Sequence, residues 1–227
     1  MKKNPGIEIV AAAAIVLAFL SSGIGATEET GRPIVPAGHV ELFNGKDFSG
    51  WTFCMRSNAD PTLTWTVTNG VIHCTGKPNG YLRTQQAYRD FQLTVEWRFV
   101  KVAPKADNTG IFVHMQLPDQ VWPMCIQNQG KHDNQGDLIY MAGAESREHK
   151  GMDASTPVPK RGPSNEKPVG EWNTILTVCS GNDVKACVNG KLMNEGTGCT
   201  LSSGFIGIQS EGGEIEIRSI DYAPLKY

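Results

Sequence analysis

Hydrophobic and polar positions alternate along most of this chain. The segment Phe91–Phe99 (FQLTVEWRF) puts Phe91, Leu93, Val95, Trp97 and Phe99 on one side, and Gln92, Thr94, Glu96 and Arg98 on the other. Nine residues of period two predict a half-buried strand and fit a helix poorly. Trp65-Thr66-Val67-Thr68 and Val71-Ile72-His73-Cys74 flank Asn69-Gly70 and read as a hairpin. Asn-Gly recurs at 44–45, 79–80 and 189–190, and each dipeptide favours the positive backbone angles of tight turns. Further strands are expected at 109–115, 124–129, 137–141, 173–179, 184–189, 204–210 and 213–218, while no long amphipathic helix follows the N-terminal region. About ten short strands separated by turn signals predict an all-β protein, two sheets packed face to face.

Two stretches break the pattern. The N-terminus has Lys2 and Lys3, an apolar run from Ile9 to Leu20, and then small residues up to Ala26. That order predicts a signal peptide over 1–26, so the mature chain is expected to be exported, to periplasm or exterior, with no membrane span. Residues 27–38 read as an exposed lead-in, and 39–227 as one domain. The second break is 142–170, a polar, proline-rich stretch too long for a passive connection, expected to border a binding cleft.

Composition narrows the function. The net charge is −2 without a sustained basic run, which excludes a protein that binds nucleic acid through its phosphates. The six cysteines permit three disulfides in fifteen connectivities, and Cys179 and Cys187 flank a turn across which they could pair. No spacing of Cys and His suggests structural zinc, and no nucleophile elbow, phosphate loop or dinucleotide fingerprint is present. What remains is a polar set on strand faces. Phe112 and His114 are expected on one face opposite Ile111, Val113 and Met115; Gln127 and Gln129 alternate with Ile126 and Asn128; Gln209 and Glu211 alternate with Ile206 and Ile208. Such a face, with Trp51, Trp122, Tyr140 and Trp172 as ring candidates, suits a sugar, whose hydroxyls need fixed partners. An antiparallel sheet may equally carry polar residues to solvent with no ligand at all.

Ordered motifs then carry a resemblance. Phe43-Asn44-Gly45-Lys46-Asp47 with Gly50-Trp51, Tyr88-Arg89-Asp90-Phe91, Glu96-Trp97-Arg98 and Asn108-Thr109-Gly110-Ile111-Phe112 open the series. It continues in Asn165-Glu166-Lys167-Pro168, Gly170-Glu171-Trp172-Asn173, Ile206 to Gly212 and Glu216 to Ile220. Together they resemble the 3-keto-disaccharide hydrolase domain family over nearly all of 39–227. The resemblance implies a concanavalin A-like jelly-roll sandwich acting on an oligosaccharide or glycoside oxidised at carbon 3. One departure stands out. Similar family members read Ile-Glu-Val-Gln where this chain has Ile126-Gln127-Asn128-Gln129, so an amide that cannot take a proton replaces a carboxylate.

A ketone at carbon 3 acidifies the hydrogen on carbon 2, so elimination followed by hydration gives net hydrolysis. The chemistry calls for a base, an oxyanion stabiliser and an acid. Glu96, His114 and His132 are the expected proton-transfer groups, with Arg98 and Lys167 balancing negative charge. Asn108, Trp122, Gln127, Gln129, Trp172, Gln209 and Glu211 are expected to hold the substrate. A divalent metal could take the place of the cations at the oxyanion, and the sequence selects neither. The enzymatic expectation requires Glu96, His114, Gln129 and Gln209 to face one cleft. Two rivals stand beside it: a carbohydrate-binding module without catalysis, and a two-carboxylate glycosidase using Glu96 and Glu211. A sandwich serving only as an interaction scaffold is a third, because fold does not settle function.

Overall fold

A computed structural model describes residues 32–101, 108–154 and 156–225. The expected signal peptide and the first part of the lead-in lie outside the described residues. Within them no helix is long and apolar enough to cross a membrane. The strands in chain order are Val40–Glu41 (β1), Trp51–Met55 (β2), Trp65–Thr68 (β3), Val71–Cys74 (β4), Gly80–Thr84 (β5), Phe91–Lys101 (β6) and Gly110–Met115 (β7). Cys125–Gln129 (β8), Leu138–Met141 (β9), Asn173–Ser180 (β10), Asp183–Val188 (β11), Lys191–Gly196 (β12), Phe205–Ser210 (β13) and Glu214–Pro224 (β14) complete them. Every expected strand is present. The elements not foreseen, β1, β2, β5 and β12, have little clean alternation to announce them.

Two antiparallel sheets result. One runs β12-β11-β10-β6-β14-β4-β3 with β1 on β14, and the other runs β2-β5-β13-β7-β8-β9. The apolar sides of the long central strands meet between them: Leu93, Val95 and Trp97 from β6 and Ile217 from β14 face Ile111, Ile126 and Ile208. This is the all-β, concanavalin A-like sandwich that the resemblance implies. Burying these faces supplies the main driving force, at about 25 cal/mol per Å² of apolar surface removed from water. Two of the four Asn-Gly pairs make the expected turn: Asn69-Gly70 and Asn189-Gly190 have positive φ at both residues. Asn79-Gly80 does not, because Gly80 lies inside the sheet, where an added Cβ would come within 2.3 Å of the Cys54 carbonyl oxygen.

Two expectations are corrected. All six cysteines are free. The β10–β11 register sets Cys179 opposite Val184 and Cys187 opposite Leu176, with Cys179 in the core and Cys187 on the outer side, so they cannot pair across that turn. The second correction concerns β7. Phe205 and Gly207 of β13 pair with Met115 and Phe112, so two steps on β13 oppose three on β7. The extra residue is a β-bulge, and His114 sits in it with a φ of 51°. The bulge turns His114 into the core, edge-on to Phe91 with ring centroids 6.0 Å apart, and gives Met115 the outward place beside Phe112.

Burial pushes the His114 imidazole down to about 4 from 6.5, against smaller opposing effects of the Leu201 backbone and Asp90. The unfolded chain therefore binds the proton first, and stability falls as the pH drops from the unfolded value towards the folded one. Between about pH 7 and pH 5 the loss from this group should be of order 2 kcal/mol. Asparagine tolerates positive φ, so His114→Asn should remove that part of the pH dependence. Urea unfolding of both proteins at the two pH values checks it, and parallel losses would show that His114 carries no such cost.

Candidate functional site

The outward face of the second sheet is not a plain solvent face. Tyr81, Phe112, Met115, Cys125, Ile139, Met141 and Phe205 form a second apolar cluster there. Gln127 and Gln129 of β8 and Gln209 of β13 share this face, at the end of the sheet where Glu211 follows β13 and Asn108 precedes β7. Together with Trp122, Ile139, Met141, Ala142 and Ala154 they line a pocket of about 480 Å³. Ala142 and Ala154 belong to the long 142–170 stretch, so part of it borders the cleft.

The polar side chains of the pocket hold one another in fixed order. Gln127 Nε2 donates to Gln129 Oε1 and to Gln209 Oε1, both at 3.0 Å. Gln209 Nε2 donates to Glu211 Oε2 at 2.8 Å, and Asn108 Nδ2 reaches the same oxygen at 2.6 Å. Gln129 Oε1 also accepts from the backbone N–H groups of Gly130 and Lys131. That oxygen is fully engaged, which fixes the amide orientations by the network itself. Gln127 Oε1, Gln129 Nε2 and Asn108 Oδ1 take no part in these bonds among the described residues, leaving two acceptors and a donor amide group for hydroxyl groups. The arrangement needs Gly110. A Cβ there would lie 2.2 Å from Gln127 Nε2, so only glycine lets the amide lie flat across β7.

Among the described residues Glu211 is the one carboxylate that lines the pocket. Burial pushes its carboxyl above the ordinary glutamate range, opposed by the hydrogen bonds from Gln209 and Asn108 and by the positive charges of Arg56 and Lys131. A half-buried carboxyl that takes up a proton nearer neutrality than usual is suited to proton transfer. Position and periodicity grouped Glu211 with the substrate-holding amides; its distinct chemistry comes from desolvation, which no sequence pattern encodes.

The other expected groups lie elsewhere. Glu96 stands on the outer side of the first sheet, paired with Arg218 through contacts of 2.8 and 2.9 Å, and that pairing holds its carboxyl below the usual range. Arg98 binds Glu216 on the same side, with Nε to Oε2 at 2.7 Å. Trp172 lies against both guanidinium groups, 4.4 Å from Arg98 and 4.7 Å from Arg218, and Lys167 Nζ caps the Trp172 carbonyl. Glu96, Arg98, Lys167 and Trp172 thus lie together on the outer side of the first sheet, away from the pocket. His114 is in the core. Glu96, His114, Gln129 and Gln209 therefore do not face one cleft, so the enzymatic expectation as framed on Glu96, Arg98 and His114 fails, and any catalytic reading has to start from the groups that the pocket does hold. The same separation removes Glu96 and Glu211 as a two-carboxylate pair.

The family profile of the 3-keto-alpha-glucoside-1,2-lyase-like domain matches residues 38–222. The chain belongs to that family. A curated 3-keto-disaccharide hydrolase from Bacteroides thetaiotaomicron is 24% identical over 167 residues, covering 62% of this chain. The match spans only about half, 52%, of that relative. Among solved structures, a candidate glycosyl hydrolase from Parabacteroides distasonis superposes with a TM-score of 0.62 at 19% identity, over 83% of this chain and 94% of the other. The carbohydrate-binding module CBM66 from Bacillus subtilis gives 0.56 at 12% identity, over 77% and 96%. These likenesses show a shared sandwich fold, and with the family match they mark a carbohydrate-active, hydrolase-like protein.

His132, in the loop after β8, meets this lyase-like domain's strongest cluster of metal-ligating types among the described residues. Its ring and the carboxylates of Asp133 and Glu166 offer atoms within 4.8 Å of one another. The Glu166 carboxylate already serves another purpose. Oε2 lies 3.0 Å from His132 Nδ1 and accepts from the Asp133 N–H, while Oε1 accepts from the Gln135 N–H and the Ser164 hydroxyl. Those bonds tie two loops together.

Gly110→Ala tests the relay. The added methyl should displace the Gln127 amide and weaken sugar binding about tenfold, while leaving the melting temperature within a few degrees because the core side of β7 is untouched. Calorimetric titration with the sugar probe named below, together with a thermal melt, checks both halves.

Proposed function

We propose that the pocket binds a glycoside oxidised at carbon 3 and that Glu211 performs the proton transfer that breaks its glycosidic bond. The observation carrying this reading is the partly desolvated carboxylate of Glu211, the one carboxylate among the described residues that line the amide-lined, apolar-floored pocket. Family membership and the relative's name support the keto-sugar substrate. Ionised Glu211 takes the hydrogen from carbon 2, and the electron pair forms the carbon 1–carbon 2 double bond as the carbon 1–oxygen bond breaks. The proton passes to the departing oxygen, and water added across the double bond completes net hydrolysis. One carboxylate suffices for that sequence, whereas direct glycoside hydrolysis calls for two flanking the bond. Gln127 Oε1 and Gln129 Nε2 would hold hydroxyls, and Trp122 would cover an apolar sugar face.

A binding module of the same fold is the second reading, favoured by the amide at Gln127 where similar chains carry a glutamate. The discriminating measurement is turnover of p-nitrophenyl 3-keto-α-glucoside against its unoxidised parent. The keto compound alone should be cleaved, and Glu211→Gln should lower kcat by roughly 100-fold or more. Because the acting form is the ionised one and its pKa is raised, kcat/KM should fall on acidification at a higher pH than an ordinary glutamate gives. Equal turnover of both compounds, or full activity in Glu211→Gln, would refute the assignment. Binding without turnover would establish the module instead.

A further inference from the structure

The loop joining β7 to β8, residues 116–124, brings Trp122 to the pocket, where the ring is 37% exposed. Trp122 makes no hydrogen bond among the described residues. What holds the loop is one carboxylate, Asp119. Its Oδ1 accepts from the Tyr81 hydroxyl at 2.9 Å and from Arg83 Nε at 2.7 Å, and its Oδ2 accepts from Arg83 Nη2 at 2.8 Å. Arg83 is itself fixed from two other directions. Its Nη1 donates to the Thr84 carbonyl, and the guanidinium lies 4.6 Å from the Phe205 ring centre. Tyr81 is fully buried and Arg83 nearly so, both on β5. The loop base is closed separately, by Gln116 N–H to the Met124 carbonyl and by Gln116 Nε2 to the carbonyls of His114 and Ser203.

Base and middle of the loop are thus anchored to the sheet, and the large ring three residues beyond the anchor is left to face the pocket. We infer that Asp119 is a positioning residue: its forked ion pair with Arg83 and hydrogen bond from Tyr81 hold the loop so that Trp122 stands ready as the aromatic wall for a sugar ring. The physical gain is preorganisation. A bidentate guanidinium–carboxylate pair fixes direction as well as distance, so the ordering of Trp122 is completed on folding and not on binding. Arg83 also holds the Asp119 carboxyl below its ordinary range, so the clasp stays charged through neutral pH. The role of the wall rests on the sugar-binding reading above, whereas the clasp itself does not.

The test separates the two. Trp51, Trp65 and Trp97 are buried, so a Trp172→Phe background leaves Trp122 as the tryptophan open to acrylamide. In that background Asp119→Asn, which keeps the shape and removes the charge, should raise the quenching constant about twofold as the loop loosens. Tyr81→Phe, which deletes one hydrogen bond and is the milder variant for folding, should give a smaller rise. With p-nitrophenyl 3-keto-α-glucoside, Asp119→Asn should raise KM about tenfold with kcat little changed, and should add almost nothing in a Trp122→Ala protein. Unchanged quenching in both variants would overturn the clasp. Additive effects of Asp119→Asn and Trp122→Ala on KM would overturn its action through Trp122. If the wild-type protein neither binds nor cleaves the probe, the sugar reading fails while the quenching result still decides the clasp.

Discussion

A side chain on an antiparallel strand has two directions to point, and in this sandwich one of them is taken by the shared core. Every other feature follows from that division. The apolar sides of β6, β14, β7, β8 and β13 close against one another, so each strand's alternate positions are driven outward. On the first sheet the outward set becomes a ladder of paired charges around Trp172. On the second sheet it becomes an apolar floor edged with amides. Among the described residues it is the second that carries the pocket.

The amide relay shows how a polar surface becomes a site. Three glutamines and an asparagine are tied by hydrogen bonds to one another and to Glu211, which fixes them before any ligand arrives. Fixed donors and acceptors lose little entropy on binding, the property a recognition surface needs. Gln127 illustrates the balance. It stands where the resemblance read from the sequence implies a carboxylate, and here its two N–H bonds join Gln129 to Gln209. A carboxylate has no hydrogen to donate and would have to be met by reversed amides on both sides. Desolvation is the main influence on Glu211 and outweighs the opposing hydrogen bonds of Gln209 and Asn108 and the positive charges of Arg56 and Lys131.

Inside the sandwich the division is less strict. Asn128 points into the core and donates to Thr177 of the opposite sheet at 2.9 Å, both fully buried. Its Nδ2 finds a partner there while its Oδ1 is left without one, and the bond links the sheets at one register. Alternation placed Asn128 on the inward side of β8 without giving any reason for an amide there. The reason is a residue forty-nine positions along the chain.

What the sequence determined by itself was the set of strands with strong period two, the two turns at Asn69-Gly70 and Asn189-Gly190, the sandwich class and, through its ordered motifs, the family. Of the residues it grouped around the substrate, Asn108, Trp122, Gln127, Gln129, Gln209 and Glu211 line one pocket, while Lys167 and Trp172 do not. Those properties are local, or are repeated at fixed spacing along the strand. Tertiary structure decided which sheet each outward face belongs to, and so parted Glu96, Arg98, Lys167 and Trp172 from the pocket. It turned His114 inward through a bulge visible only in the pairing of β7 with β13. It also made Glu211 differ from the other carboxylates, because desolvation depends on what surrounds a group in space and not on its neighbours in the chain.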